Sequence, residues 1–199
     1  MADLVQPIVV LQEDDTRHEA VVRAAADASV GAYQFAHPNW ERWLAGRFTK
    51  TVRRARPNEF AKVIAAMEAL GFPYSIKMTP HAQVAAFAPL TYEEFPKALS
   101  RTQVAGTDFE HEEAWGNAPG RPITVYINPD VKMTTGKTAA LVAHGLFGWR
   151  LRHLDAPWPV EYNVFSYVDI SDIDAEVTIA DAGFTEIDPG TITVKVTSS

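Results

Sequence analysis

Cysteine is absent from all 199 residues. Disulfides, thiolate-bound metals and a cysteine nucleophile are excluded with it. Long apolar runs are absent too. The run near the start, P-I-V-V-L from Pro7 to Leu11, falls far short of the roughly 20 residues that a membrane-spanning helix needs. The residues before it include no base of the kind that opens a secretory leader. The expectation is a cytoplasmic protein with no membrane partner. Positive charge is scarce: 18 lysines and arginines face 25 acids, a net charge of −7. Nucleic-acid binding rests on neutralising phosphates, so the overall charge runs against it. There is no G-x-S-x-G nucleophile elbow. Gly136-Lys137-Thr138 follows a strand pattern, but Val131 stands where a phosphate-binding P-loop needs its leading glycine.

What is present suits one large or two small domains. Hydrophobic residues make up 47% and charged residues 22%, a globular composition. Charge is unevenly spread. Arg42, Arg47, Lys50, Arg53, Arg54, Arg56 and Lys62 cluster against Glu59 alone, whereas 169–188 holds seven acids and no base.

Apolar periodicity divides the chain into two similar halves. In the first, Gln6–Glu13 reads as a strand and Asp14–Tyr33 as an Ala-rich helix capped by Asp15 or Thr16. A short helix at Trp40–Leu44, an exposed strand at Phe48–Arg54 and an amphipathic helix at Asn58–Leu70, stopped by Gly71, follow. Tyr74–Lys77 and Gln83–Phe87 are strands, and Tyr92–Leu99 a last short helix. The polar stretch Phe109–Gly120 reads as a linker. The pattern then restarts with a strand at Pro122–Asn128, a helix at Gly136–His153 and strands at Tyr162–Val168, Glu176–Ile179 and Thr191–Val196. The second half has no counterpart to the helix at Asn58–Leu70. Strand–helix–strand repeated in this way predicts an α/β fold. The expected division is 1–108, a linker at 109–120, and 121–199.

Two segments of the second half place a lysine, an aspartate and threonines at turns beside strands: K-M-T-T-G-K-T-A-A-L-V-A-H-G (Lys132–Gly145) and D-A-G-F-T-E-I-D-P-G-T-I-T (Asp181–Thr193). Both resemble motifs of the archaeal and eukaryotic type of peptidyl-tRNA hydrolase, K-M-G-K-G-K-x-A-A-Q-x-x-H-A and D-A-G-x-T-x-x-x-P-G-T-x-T, in the same order and without gaps. The resemblance implies two such units, each a small mixed sheet flanked by helices, the first degenerate. That first half is similar to actinobacterial relatives of the family in W-L-A-G-R-F-T-K-T-V-R-R-A-R (Trp43–Arg56) and T-Q-V-A-G-T (Thr102–Thr107).

Carried over by position, the family's functional residues fall on Lys137, Asp181, Thr185 and Thr193. The implied reaction is hydrolysis of the ester between a peptide and tRNA, with no metal or cofactor. Asp181 would orient or deprotonate water, and Lys137, at a helix start whose amides also favour anions, would hold a phosphate or developing negative charge. Peptidyl-tRNA is the implied partner, Lys50, Arg53, Arg54 and Arg56 the candidate RNA contacts, and homodimer formation is left open. Leu141 stands where the family has glutamine, and Thr134 and Thr135 where it has glycine and lysine. These departures, the shortened second unit and the acidic D-I-S-D-I-D-A-E (Asp169–Glu176) carry the alternative: a catalytically inactive binding or scaffold protein that keeps the fold.

Each residue also has a plainer reading. Lys137 and Lys132 suit solvated positions, Asp181 an Asx-turn, and Thr185 and Thr193 ordinary strand or turn positions. His144 lies on the apolar side of its helix and suits a core histidine. The basic run suits a protected edge strand, and Trp40 with Trp43 core packing. His111 with Glu112 and Glu113 suggests a metal, but adjacent residues do not converge on one ion, and the plainer reading is a solvated linker.

Overall fold

In the computed structural model, which describes residues 3–112, 114–183 and 187–199, the first apolar run forms β1 (Leu4–Leu11), buried at every position. A strand buried on both faces needs cover on both. The chain continues through α1 (His18–Ala32), α2 (Asn39–Ala45), β2 (Thr49–Ala55), α3 (Pro57–Ala69), β3 (Tyr74–Thr79), β4 (Ala82–Phe87), the two-residue β5 (Leu90–Thr91) and α4 (Lys97–Ser100). After the connecting stretch come β6 (Ile123–Ile127), α5 (Thr135–Arg152), β7 (Tyr162–Phe165), β8 (Val177–Ala180) and β9 (Ile192–Ser198).

The two halves wind alike. The first sheet runs β2-β1-β4-β3, with β5 also beside β1, and the second runs β7-β6-β9-β8. In each, the opening strand pairs parallel with the strand reached through a helix and antiparallel with the last long strand. The fold is the two-unit α/β arrangement that the repeated pattern predicts. α1 lies on the first sheet, α5 on the second, and the helices pack against each other, so one apolar core runs from sheet to sheet. Phe147 of α5 sits at its centre, against Tyr33, Trp40, Trp43 and Phe48. Trp40 and Trp43 are thus core residues.

Small side chains permit these approaches. α1 is largely alanine and valine, and buried except at Arg23 and Asp27. A Cβ on Gly145 of α5 would stand 2.9 Å from Val196 and 3.1 Å from Val194, so any larger side chain pushes helix and sheet apart. On the far face of the first sheet, Phe60, Val63 and Met67 of α3 cover Val9, Ala85 and Phe87. Among its described residues, the second unit has no such helix. Residues 166–176 run irregularly there, with Ile170 buried and Lys195 Nζ donating to the carbonyls of Ser171 (3.2 Å) and Ile173 (2.8 Å).

Two local expectations are corrected. Neither Asp15 nor Thr16 caps α1. Thr16 Oγ1 accepts from Glu13 N (2.9 Å), and the His18 amide is satisfied by the Glu110 carbonyl (2.8 Å) from the inter-unit stretch. Tyr92–Leu99 is not one helix, because Pro96 has no amide to extend a helical ladder. It divides into a 3₁₀ turn at Tyr92–Glu94 and α4. Among the described residues, no helix is long and apolar enough to cross a membrane.

Candidate functional site

Side chains alternate along β8: Val177 is buried and Thr178 exposed, and Asp181 just beyond the strand is buried again. Val177, Ile179 and Asp181 therefore share the face toward α5. Gly148 and Gly145 of α5 lie against Val177 and Ile179, and further toward the helix start Lys137 meets Asp181. Lys137 Nζ forms an ion pair with Asp181 Oδ2, with the lysine side chain 20% exposed and the aspartate side chain 1%. Asp181 Oδ1 accepts from the Gly183 amide at 2.7 Å, an Asx-turn. Apart from Lys137, the buried Oδ2 has no hydrogen-bond partner among the described residues. The cation that reaches solvent thus covers a carboxylate oxygen that would otherwise be unpaired.

A β-bulge lies beside Asp181. The β8–β9 register shifts between Ile179 and Ala180, and Thr193, the extra residue, donates its hydroxyl to Ile179 O at 3.1 Å. Thr193 is fully buried, so it fastens the strands under the site. Bulges commonly re-aim a side chain beside a functional site. Thr185 lies outside the described residues.

The helix start is not the anion cradle that its sequence suggests. The Thr135 amide donates to Asp108 Oδ1 (2.9 Å), Gly136 to Thr107 O (2.8 Å), Lys137 to Thr134 Oγ1 (3.3 Å) and Thr138 to Thr134 O (2.9 Å). Each of these first-turn amides has an internal partner, which leaves the Lys137 side chain as the group that can meet an anion.

The basic run is also placed differently from expectation. Lys50 and Arg54 share a face of β2, but Lys50 is buried and does not share a surface with Arg54 and Arg56. Its ammonium donates to Gln6 Oε1 (2.8 Å) and Ser29 Oγ (3.1 Å) and lies over the rings of Trp43, Phe147 and Phe48 at 4.3, 4.4 and 4.7 Å. Burial pushes its pKa well below the usual lysine value, while these rings and acceptors favour the cation. Arg53 donates to Thr102 Oγ1 and Thr102 O, both at 2.7 Å, and Arg54 to Gln12 Oε1 (2.8 Å) and Gln103 Oε1 (2.5 Å). Both arginines therefore hold the Thr102–Thr107 segment, whose end caps α5. Arg56 stands exposed at the start of α3. His144, two turns along α5 from Lys137, is half-buried with its ring edge-on to Phe48 at 5.0 Å. Burial, then Lys50 and Lys137, hold its pKa well below the ordinary histidine value, so it is neutral.

No protein-family model matches the chain, and comparison with curated proteins finds no match.

Proposed function

We propose that this chain is an ester hydrolase of the peptidyl-tRNA hydrolase type, acting in the cytoplasm, with Lys137 and Asp181 as its reacting pair. The observation that carries this reading is their contact: two motifs distant in sequence, each singled out by its resemblance to that family, supply one ammonium–carboxylate pair at the end of one strand. In the reaction, water attacks the ester carbonyl carbon and passes a proton to Asp181 Oδ2, an oxygen with no competing donor except Lys137. The carbonyl π electrons move onto its oxygen, where the Lys137 ammonium stabilises the negative charge. Collapse of the tetrahedral species breaks the bond to the ribose oxygen. That oxygen leaves with the proton from Asp181, giving free tRNA and a peptide acid. Lys137 has to turn outward to the substrate, which uncovers the carboxylate.

A second reading, an inactive binding protein on the same fold, is favoured by the enclosure of Asp181 and by the internal partners of the α5 amides. Release of tRNA from purified peptidyl-tRNA separates the two. For a hydrolase, turnover falls about 100-fold or more in Asp181→Asn, the usual weight of a general base, and falls in Lys137→Ala, with circular dichroism unchanged. Absence of turnover by the unaltered chain, with a protein partner bound instead, supports the second reading. Unaltered turnover in both variants removes this site.

A further inference from the structure

At the start of α1, beside the capped start of α5, the fold gathers His18, Glu19 and His111. Their candidate ligand atoms all lie within 4.8 Å of one another. We propose that the start of α1 and the inter-unit stretch together bind a divalent transition-metal ion of the Zn2+ class through these three side chains. The reading is independent of the ester-hydrolase proposal, since it uses neither Lys137 nor Asp181.

The donors are prepared for that role. His18 is buried and lies 2.9 Å through Nδ1 from Thr135 Oγ1. The single proton of that hydroxyl goes to Asp108 Oδ1 (3.2 Å), the stronger acceptor, so the hydroxyl oxygen accepts from His18 Nδ1–H and from the Phe109 amide (3.0 Å). This leaves the Nε2 lone pair of His18 for a ligand, with the ring oriented by its other nitrogen, as metal-bound histidines commonly are. The Glu19 side chain is 6% exposed, and its Oε2 is held by the Glu112 amide at 2.6 Å. Its Oε1 faces His111 Nδ1 at 2.8 Å. The His111 ring stacks on His18 with centroids 4.1 Å apart, and its side chain is 68% exposed. Tetrahedral ligand atoms about 2.0 Å from an ion stand about 3.3 Å apart. His18 and Glu19 are fixed on a buried helix, so the exposed His111 makes the adjustment, turning out of its stack on His18 as the ion replaces its proton to Glu19.

Two imidazoles and a carboxylate select Zn2+, Co2+ or Ni2+ over the oxygen-seeking Mg2+ and Ca2+. With three protein donors, the fourth position is left for water.

Titration of the full-length chain with ZnCl2 by calorimetry, and with Co2+ by visible absorption, tests the site. One ion per chain is expected, with tetrahedral cobalt bands that Zn2+ displaces and Mg2+ does not. His111→Ala, an exposed change that leaves the fold intact, weakens binding at least about 10-fold and removes the cobalt bands, as does Glu19→Gln. His153→Ala, in the distant pair with Glu176, leaves both signals unchanged. Absence of stoichiometric binding, or equal affinity in His111→Ala, overturns the proposal.

Discussion

Asp27, on the helix shared between the two sheets, has one carboxylate oxygen buried with no hydrogen-bond partner among the described residues. Burial raises its pKa from 3.8 to about 6, against the smaller opposing pull of Lys77, Tyr162 and Arg23. The folded chain therefore holds this proton where the unfolded chain has released it. The associated stability is complete below pH 4 and is lost as pH rises through 6, on the order of 3 kcal/mol. Asp27→Asn is expected to flatten the stability profile between pH 4 and 6 and to raise stability at pH 7, as read by urea unfolding. The Lys137–Asp181 pair carries the opposite liability. Lys137→Ala leaves a buried carboxylate alone and costs ~3 kcal/mol. In the Asp181→Asn background the same change costs much less. Equal costs in the two backgrounds would mean that the ammonium contributes nothing to holding the carboxylate.

At the scale of elements, α5 positions the site, and its start is fastened by residues outside it. Asp108→Ala removes the carboxylate that caps Thr135 and is expected to cost ~1 kcal/mol. Gly145→Val drives a side chain into Val194 and Val196, for ~1–3 kcal/mol. Thermal melts compare both, and a neutral Gly145→Val would contradict the close helix–sheet packing. Apolar periodicity made the elements legible: the strand read at Pro122–Asn128 is Ile123–Ile127, and the helix read at Gly136–His153 is Thr135–Arg152. Contacts between distant segments were not legible, since no local pattern encodes them. The Glu110 carbonyl at the start of α1, the hold of Arg53 and Arg54 on Thr102–Ala105, and the approach of His111 to His18 and Glu19 each depend on the finished fold. Lys50 misled for a related reason. Alternation along β2 puts it on the face shared with Arg54, but only tertiary packing brings Trp43, Phe48 and Phe147 around its ammonium.

For the whole molecule, two units of like winding share one core and differ at equivalent corners. Where the second unit has Lys137 in the first turn of its central helix, the first has His18 and Glu19. Where the second turns at Asp181 between its last two strands, the first turns near His81. Composition and periodicity showed the duplication. Lys137 and Asp181 stood out from other solvated or turn residues only through the motif resemblance, and their contact is a property of the fold. The most direct measurement is a double-mutant cycle on peptidyl-tRNA turnover with Lys137→Met, Asp181→Asn and the two combined, each checked for folding. For side chains that act as one unit, the double variant loses about as much rate as the more damaging single change. Losses that simply multiply, or an unaltered chain that releases no tRNA, would contradict a shared catalytic pair.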